Sequence, residues 1–310
     1  MLTGIAVPAS SPPPLAGPGP APQEDGISVV RRGDRIRLLV GQEMLAEYRT
    51  GFRPRPILFP LNAAGETGVS RHYPVDEAAP GEAEDHPHHT SVWFAHGDVN
   101  GLDYWSGKAR IRHREIERLL PDGLVAINEW LDGQQVIATD RTTIRLTTTT
   151  GWRMIDWSTE ITAAAEPLVF GDTKEGTFAI RTRPELRIHD RQGNPVAAAR
   201  NSNGTTGKQI WGKAARWVHY QGIVDGAPIG LTLMDHAGNP RHPALWHARD
   251  YGLVAANPFG RHDLAGEPAG SGTLTLPAGE TLTLRYAIVV WNDDPADPRI
   301  DELYQQFNRR

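Results

Sequence analysis

What most constrains this chain is a rhythm. From Ile27 onward, short runs with apolar residues at every second position are cut off by glycine-bearing turns, and almost nothing recurs at helical spacing. Ile27–Val30, Arg35–Val40 and Glu43–Tyr48 follow one another with only Gly33-Asp34 and Gly41-Gln42 between them. Side chains alternate between the faces of a strand, so such runs make half-buried strands, and tight turns return the chain antiparallel. The pattern continues through 92–95, 109–117, 123–130, 136–140, the threonine-rich 141–150 and 153–161, where Ile155, Trp157 and Ile161 share a face. Further runs fall at 176–182, 217–224, 229–235, 251–255, 272–276 and 281–291. Pro56 and Pro60 cannot donate to a ladder, which predicts an edge strand or a bulge at 56–61. Only Arg299–Asn308 reads as a helix, with Ile300, Leu303, Tyr304 and Phe307 on one side. No repeat of fixed period is present. The sequence therefore predicts an all-β fold, a large antiparallel sandwich of two sheets forming a single domain over 27–310, with one short C-terminal helix.

Composition narrows the function. Residues 1–26 are rich in Pro, Ala, Gly and Ser and lack the basic start and apolar core of a signal peptide, so a disordered tail and a cytoplasmic location are expected. Cysteine is absent, which removes disulfides, thiolate metal sites and a cysteine nucleophile. A net charge of −5 argues against a nucleic-acid partner, and no run of apolar residues is long enough for a membrane helix.

Chemistry concentrates in three stretches. The first is Asp85-His86-Pro87-His88-His89 through Trp93-Phe94-Ala95-His96-Gly97-Asp98 to Trp105, which holds four of the twelve histidines. Imidazole and carboxylate can move protons, bind a metal or grip hydroxyls, and tryptophan offers a flat apolar wall. The second is Lys174-Glu175, placed just before a strand; it reads as a general base with a neighbouring cation, or equally as an exposed turn ion pair. The third runs from Trp246 to Gly260. If 246–251 is extended, His247, Arg249 and Tyr251 face one way, and His247 could join His88 and His89. His247 reads equally as a core histidine bonded to backbone. Gly204-Thr205-Thr206-Gly207-Lys208 is too short for a phosphate-cradling loop, and Asp98–Asp103 lacks the closing glutamate of a calcium loop.

Arg53-Pro54-Arg55-Pro56, the 85–101 stretch, Lys174-Glu175-Gly176 and Trp246–Gly260 together resemble motifs of the bacterial PmoA-like family, a likeness that covers roughly 27–292. The resemblance implies a β-rich protein associated with sugar-catabolic oxidoreductases and a sandwich similar to galactose-mutarotase-like folds. A sugar-processing enzyme acting on a pyranose or oxidised sugar is then the leading expectation, of mutarotase, lyase or hydrolase type. Catalysis would fall to His89, Glu175 and His247, with Glu175 removing a proton and His89 donating one. Arg55, His88, His96, Asp98, Trp105, Lys174 and Asn257 would bind substrate. No cofactor is required. One alternative is a metal-dependent hydrolase, with His88, His89 and His247 as ligands of a divalent Zn²⁺ or Mn²⁺. The other is a sugar-binding protein without turnover.

Overall fold

The structure, a computed structural model, describes residues 26–309. The tail expected over 1–26 lies outside them but for Gly26. The first five strands are β1 (Ile27–Arg32), β2 (Arg35–Val40), β3 (Glu43–Arg49), β4 (Ile57–Leu61) and β5 (Val92–His96). Four long strands follow as a meander: β6 (Arg110–Leu120), β7 (Gly123–Asp132), β8 (Gln135–Thr148) and β9 (Trp152–Ala163). Next come β10 (Leu168–Phe170), β11 (Gly176–Arg181), β12 (Ala198–Asn201), β13 (Trp217–Val224) and β14 (Ala227–Asp235). The last are β15 (Leu245–Ala248), β16 (Leu253–Asn257), β17 (Leu274–Leu276) and β18 (Thr281–Trp291), with helices α1 (Arg261–Ala265) and α2 (Asp297–Asn308).

These strands make two eight-stranded sheets, ordered β1-β2-β3-β4-β5-β11-β16-β15 and β12-β13-β14-β18-β9-β8-β7-β6, plus the small ribbon β10-β17. The expected all-β sandwich of two large sheets is what the chain forms. Alternation explains its interior. Phe94 and Phe178 are cross-strand partners on β5 and β11, and both reach the opposite sheet. The Phe178 ring stacks on Tyr286 at 5.1 Å, and Phe94 meets Trp130 edge-on at 6.2 Å. Truncating such a buried phenylalanine to alanine costs about 3–5 kcal/mol. The outer face of the second sheet carries Met154, Trp217, Met234, Val289 and Trp291, which are buried with Ile300, Leu303, Tyr304 and Phe307 of α2. That helix is the one the spacing predicts, begun two residues earlier at Asp297-Pro298.

Three local expectations need correction. Of the edge strand or bulge expected at 56–61, the edge strand is overturned and the irregularity is found: β4 lies between β3 and β5. Its ladder to β5 is reduced to the single pair Leu58–Val92, and the β3 register shifts between Ala46 and Tyr48, so the prolines are absorbed by irregular pairing. The extended run expected over 246–251 ends at Ala248, because Gly252 takes a φ of +94° and the chain turns back into β16. Helix α1 and strands β10 and β12, of three to five residues, are too short to show a period. Among the described residues no helix is long and apolar enough to cross a membrane.

Candidate active site

The site begins with register. Trp93 on β5 pairs with Ala179 on β11, which lies level with Ala255 on β16, which pairs with His247 on β15. Their neighbours Phe94 and Phe178 point into the sandwich, so this row faces away from it. Two alanines in the middle of the row leave room above the sheet for side chains delivered by loops. Those loops supply a recess of about 270 Å³ lined by His86, His88, His89, Lys174, Glu175, His247, Arg249 and Tyr251. All three chemistry-bearing stretches of the sequence thus meet in one hollow.

The histidine loop is held in an unfavourable shape by buried arginines. His86 and Ser91 sit at φ values of +44° and +60°, uncommon for side chains with a Cβ. Arg71 donates through Nη1 to the Ala83 and Asp85 carbonyls, both at 2.9 Å, and through Nη2 to those of His86 and His89 at 3.0 and 3.1 Å. Arg55 donates to the carbonyls of Tyr104 and His88. The Asp85 carboxylate accepts from Arg71 at 2.7 Å and from Arg181 at 2.9 Å. Burial works to raise the Asp85 pKa, but Arg181, His86 and Arg71 outweigh it and hold the carboxyl below its usual range.

Within this frame the imidazoles stack. His89 lies between Trp93, at 5.5 Å, and His86, at 4.8 Å, and His86 in turn stacks on Tyr251 at 5.1 Å. Hydrogen-bond chemistry fixes two tautomers. Arg181 can only donate, so His89 Nδ1, 3.3 Å from its Nη1, must accept, and Nε2 carries the hydrogen. The Lys174 carbonyl can only accept, so His247 Nδ1 donates to it at 3.0 Å and leaves Nε2 as an acceptor. Burial, reinforced by His86 and Arg55, pushes His88 down to about 4. Burial and Arg249 bring His247 to about 4 as well. His89 is pushed down further, by burial and then by His88, Arg181 and His86. For His89, expected to donate a proton, these surroundings disfavour the imidazolium and leave an Nε2–H that can donate a hydrogen bond.

Glu175 is the carboxylate of the recess. Its carbonyl accepts from Gly97 N at 2.6 Å, which ties the head of β11 to the end of β5. The approach requires glycine on both strands. A Cβ on Gly97 would lie 2.7 Å from that of Glu175, and one on Gly176 would lie 2.3 Å from His96 Nδ1. Burial raises the Glu175 pKa, Lys174 opposes that, and Asp103 and Asp263 add to it; the balance is upward. Lys174 Nζ is 3.8 Å from Glu175 Oε1.

Of the residues expected at the site, His88, His89, Lys174, Glu175 and His247 line the recess, and five others stand behind it. Arg55 and Trp105 are buried, Arg55 under the His88 carbonyl and Trp105 at 5.0 Å from Trp93, backing the ring on which His89 rests. His96 donates from Nε2 to the Gly171 carbonyl at 2.8 Å. Asn257 donates to the Thr173 carbonyl at 2.9 Å and accepts from Phe259 N and Gly260 N, and Asp98 accepts from Gly101 N at 2.9 Å. His96 and Asn257 thus hold the 171–175 loop that carries Glu175. Arg71 and Arg181 went unnoticed in the sequence, where nothing separates them from solvated surface charges. Among the described residues no group of three or more His, Asp or Glu side chains is arranged to hold a metal ion.

A family model described as a family of unknown function, DUF6807, matches residues 35–305. The chain belongs to this family. Among curated proteins none matches it. Solved structures to which it is similar include the Slr1438 protein of Synechocystis sp. PCC 6803, at 9% identity and a TM-score of 0.38, covering 90% of this chain and 100% of that one. A polysaccharide lyase is 15% identical with a TM-score of 0.34; 87% of this chain is covered, but only 33% of the lyase. A galactose mutarotase related enzyme from Lactobacillus acidophilus is 9% identical with a TM-score of 0.32, over 87% of this chain and 99% of the other.

Proposed function

We propose that this protein is a carbohydrate-processing enzyme that acts on a pyranose or an oxidised sugar, with Glu175 as the group that moves the proton. One observation carries the reading: a carboxyl of raised pKa shares a small recess with imidazoles, aromatic faces and two cationic side chains. A sugar ring presents hydroxyls at its rim and C–H bonds on its faces, which these groups match. A raised pKa makes Glu175 the stronger base once ionised and keeps its acid form accessible for returning the proton. His89 Nε2–H would bond the ring or glycosidic oxygen, and the His247 Nε2 lone pair would accept from a hydroxyl. Lys174 and Arg249 would stabilise negative charge that develops on the sugar, or a carboxylate it already carries. The resemblance of Arg53–Pro56, 85–101, Lys174–Gly176 and Trp246–Gly260 to PmoA-like motifs implies the same substrate class.

The test is proton NMR of a panel of neutral sugars and uronates incubated with the wild type and with Glu175→Gln. Glu175→Gln is expected to keep sugar binding and to lose at least about a hundredfold in turnover, the usual contribution of a general acid or base. If Glu175→Gln and His89→Ala both leave turnover intact, the catalytic reading is wrong. Binding without turnover in the wild type would favour a sugar-binding protein.

A further inference from the structure

A second hollow adjoins the first. Its volume is about 330 Å³, and it is lined by Lys208, Trp211, Ala248, Arg249 and Asp250. Arg249 lines both hollows, so the two adjoin at this residue. Each volume taken alone lies near the bottom of the range of about 300–1,000 Å³ found for small-molecule sites. The adjoining pair suits a ligand of two linked units.

Chemistry on the two sides of Arg249 differs. The first side holds the proton-moving group and the imidazoles. The second side is lined by the Trp211 indole and has a charged mouth, where Lys208 Nζ stands 3.4 Å from Asp250 Oδ2. An aromatic side chain with hydrogen-bonding groups at its border is a surface that suits a pyranose face. The segment that carries the indole is held in place. It follows the 3₁₀ turn Gly207–Ile210, and the next residues join the free edge of β15: Gly212 N donates to the Trp246 carbonyl at 2.9 Å and Trp246 N to that of Lys213 at 3.3 Å. Gly212 has a φ of +70°, and a Cβ there would lie 2.0 Å from the Leu264 carbonyl oxygen of α1. The chain beside Trp211 is therefore wedged between a strand edge and a helix.

We infer that the substrate is a glycoside of at least two rings, with one ring among the histidines and the next against Trp211, and with Arg249 beside the linkage. The inference rests on the carbohydrate reading above and adds the length of the substrate and the residue that senses it.

The experiment is calorimetric titration with matched pairs: glucose with cellobiose and maltose, galactose with lactose, and galacturonate with digalacturonate. At least one disaccharide should bind about tenfold or more tightly than its monosaccharide, equivalent to roughly 1.4 kcal/mol. Trp211→Ala should remove that advantage while monosaccharide binding changes by less than about twofold, and Trp211→Phe, which keeps an aromatic face, should restore most of it. Lys208→Met provides a second perturbation of the same wall that leaves the indole and its packing in place, and it too should weaken only the disaccharide. Equal affinities within every pair, or equal weakening of both members by Trp211→Ala, would overturn the inference and leave the sugar-enzyme reading standing. Absence of binding by any member of the panel would remove both.

Discussion

Replacing Asp85 by asparagine tests how the histidine loop is held. The substitution keeps an oxygen to accept from Arg71 and Arg181 but removes the charge that balances them. Both guanidinium side chains are 2% exposed, whereas the Asp85 side chain is 41% exposed. Leaving a buried charge without its partner costs about 3–5 kcal/mol. Water on one side of Asp85 screens part of that, and a loss of about 2–3 kcal/mol is the working figure. For a urea m-value of about 3 kcal/mol/M the unfolding midpoint should fall by close to 1 M. Hydrogen exchange should quicken across 83–91 first, because the His89 amide donates to the His86 carbonyl inside the loop that the arginines fix. In a double-mutant cycle Asp85→Asn and Arg181→Met should couple by about 1 kcal/mol or more. A midpoint within about 0.2 M of the wild type, with unchanged exchange, would refute the argument that this charge pair holds the loop.

Other consequences follow from the same geometry. If Glu175 acts as a base, activity is present above its pKa and falls as pH drops through it, so the acid limb of kcat/KM should lie above the ordinary carboxylate range. Lys174→Ala removes the cation that opposes the rise and should move that limb to higher pH; a move to lower pH would contradict the assignment. Gly176→Ala would press a Cβ to within 2.3 Å of His96 Nδ1, so it should lower stability by about 1–3 kcal/mol, read from urea unfolding, and depress turnover through Glu175. His96 is fully buried, and burial pushes it from 6.5 to about 4 despite its bond to Gly171. The unfolded chain takes up that proton below about 6.5 while the fold refuses it until about 4, so stability falls as pH drops. His96 alone accounts for about 1 kcal/mol between pH 7.5 and 5.5. His96→Gln should flatten the pH dependence of the urea midpoint by that amount, and an unaltered slope would show that His96 is not the group responsible.

The fold was legible because alternation is local. Ile155, Trp157 and Ile161 announce a buried face without reference to any partner strand, and the 300–307 spacing announces a helix. Which strands neighbour one another was not legible, since pairing depends on contacts far along the chain; Pro60 sits inside a sheet because β3 and β5 tolerate an irregular ladder around it. The site was legible in part for the same reason. His88, His89, Glu175 and His247 stand out as chemistry beside apolar runs. His247, Arg249 and Tyr251 do line the recess together, but the strand ends at Ala248, so the turn before β16 and not a period-two run brings the last two there. Arg71 and Arg181 lie in a loop and at a strand end, where only the folded structure shows that they are buried and directed at the histidine loop. Asn257 and His96 look like ligands for a substrate in one dimension, and in three they brace the segment that bears Glu175.

Arg71 grips its loop through the oxygens of the main chain at Ala83, Asp85, His86 and His89, and Arg55 does the same at His88. A grip of that kind is blind to which side chains project from the loop, provided a carboxylate stays at 85. Imidazoles at 86 and 88 could be exchanged for other residues without dismantling the clasp. The same mount could then present a different set of teeth, so that a descendant of this chain would change what it accepts by editing two or three letters and leaving the scaffold as it is.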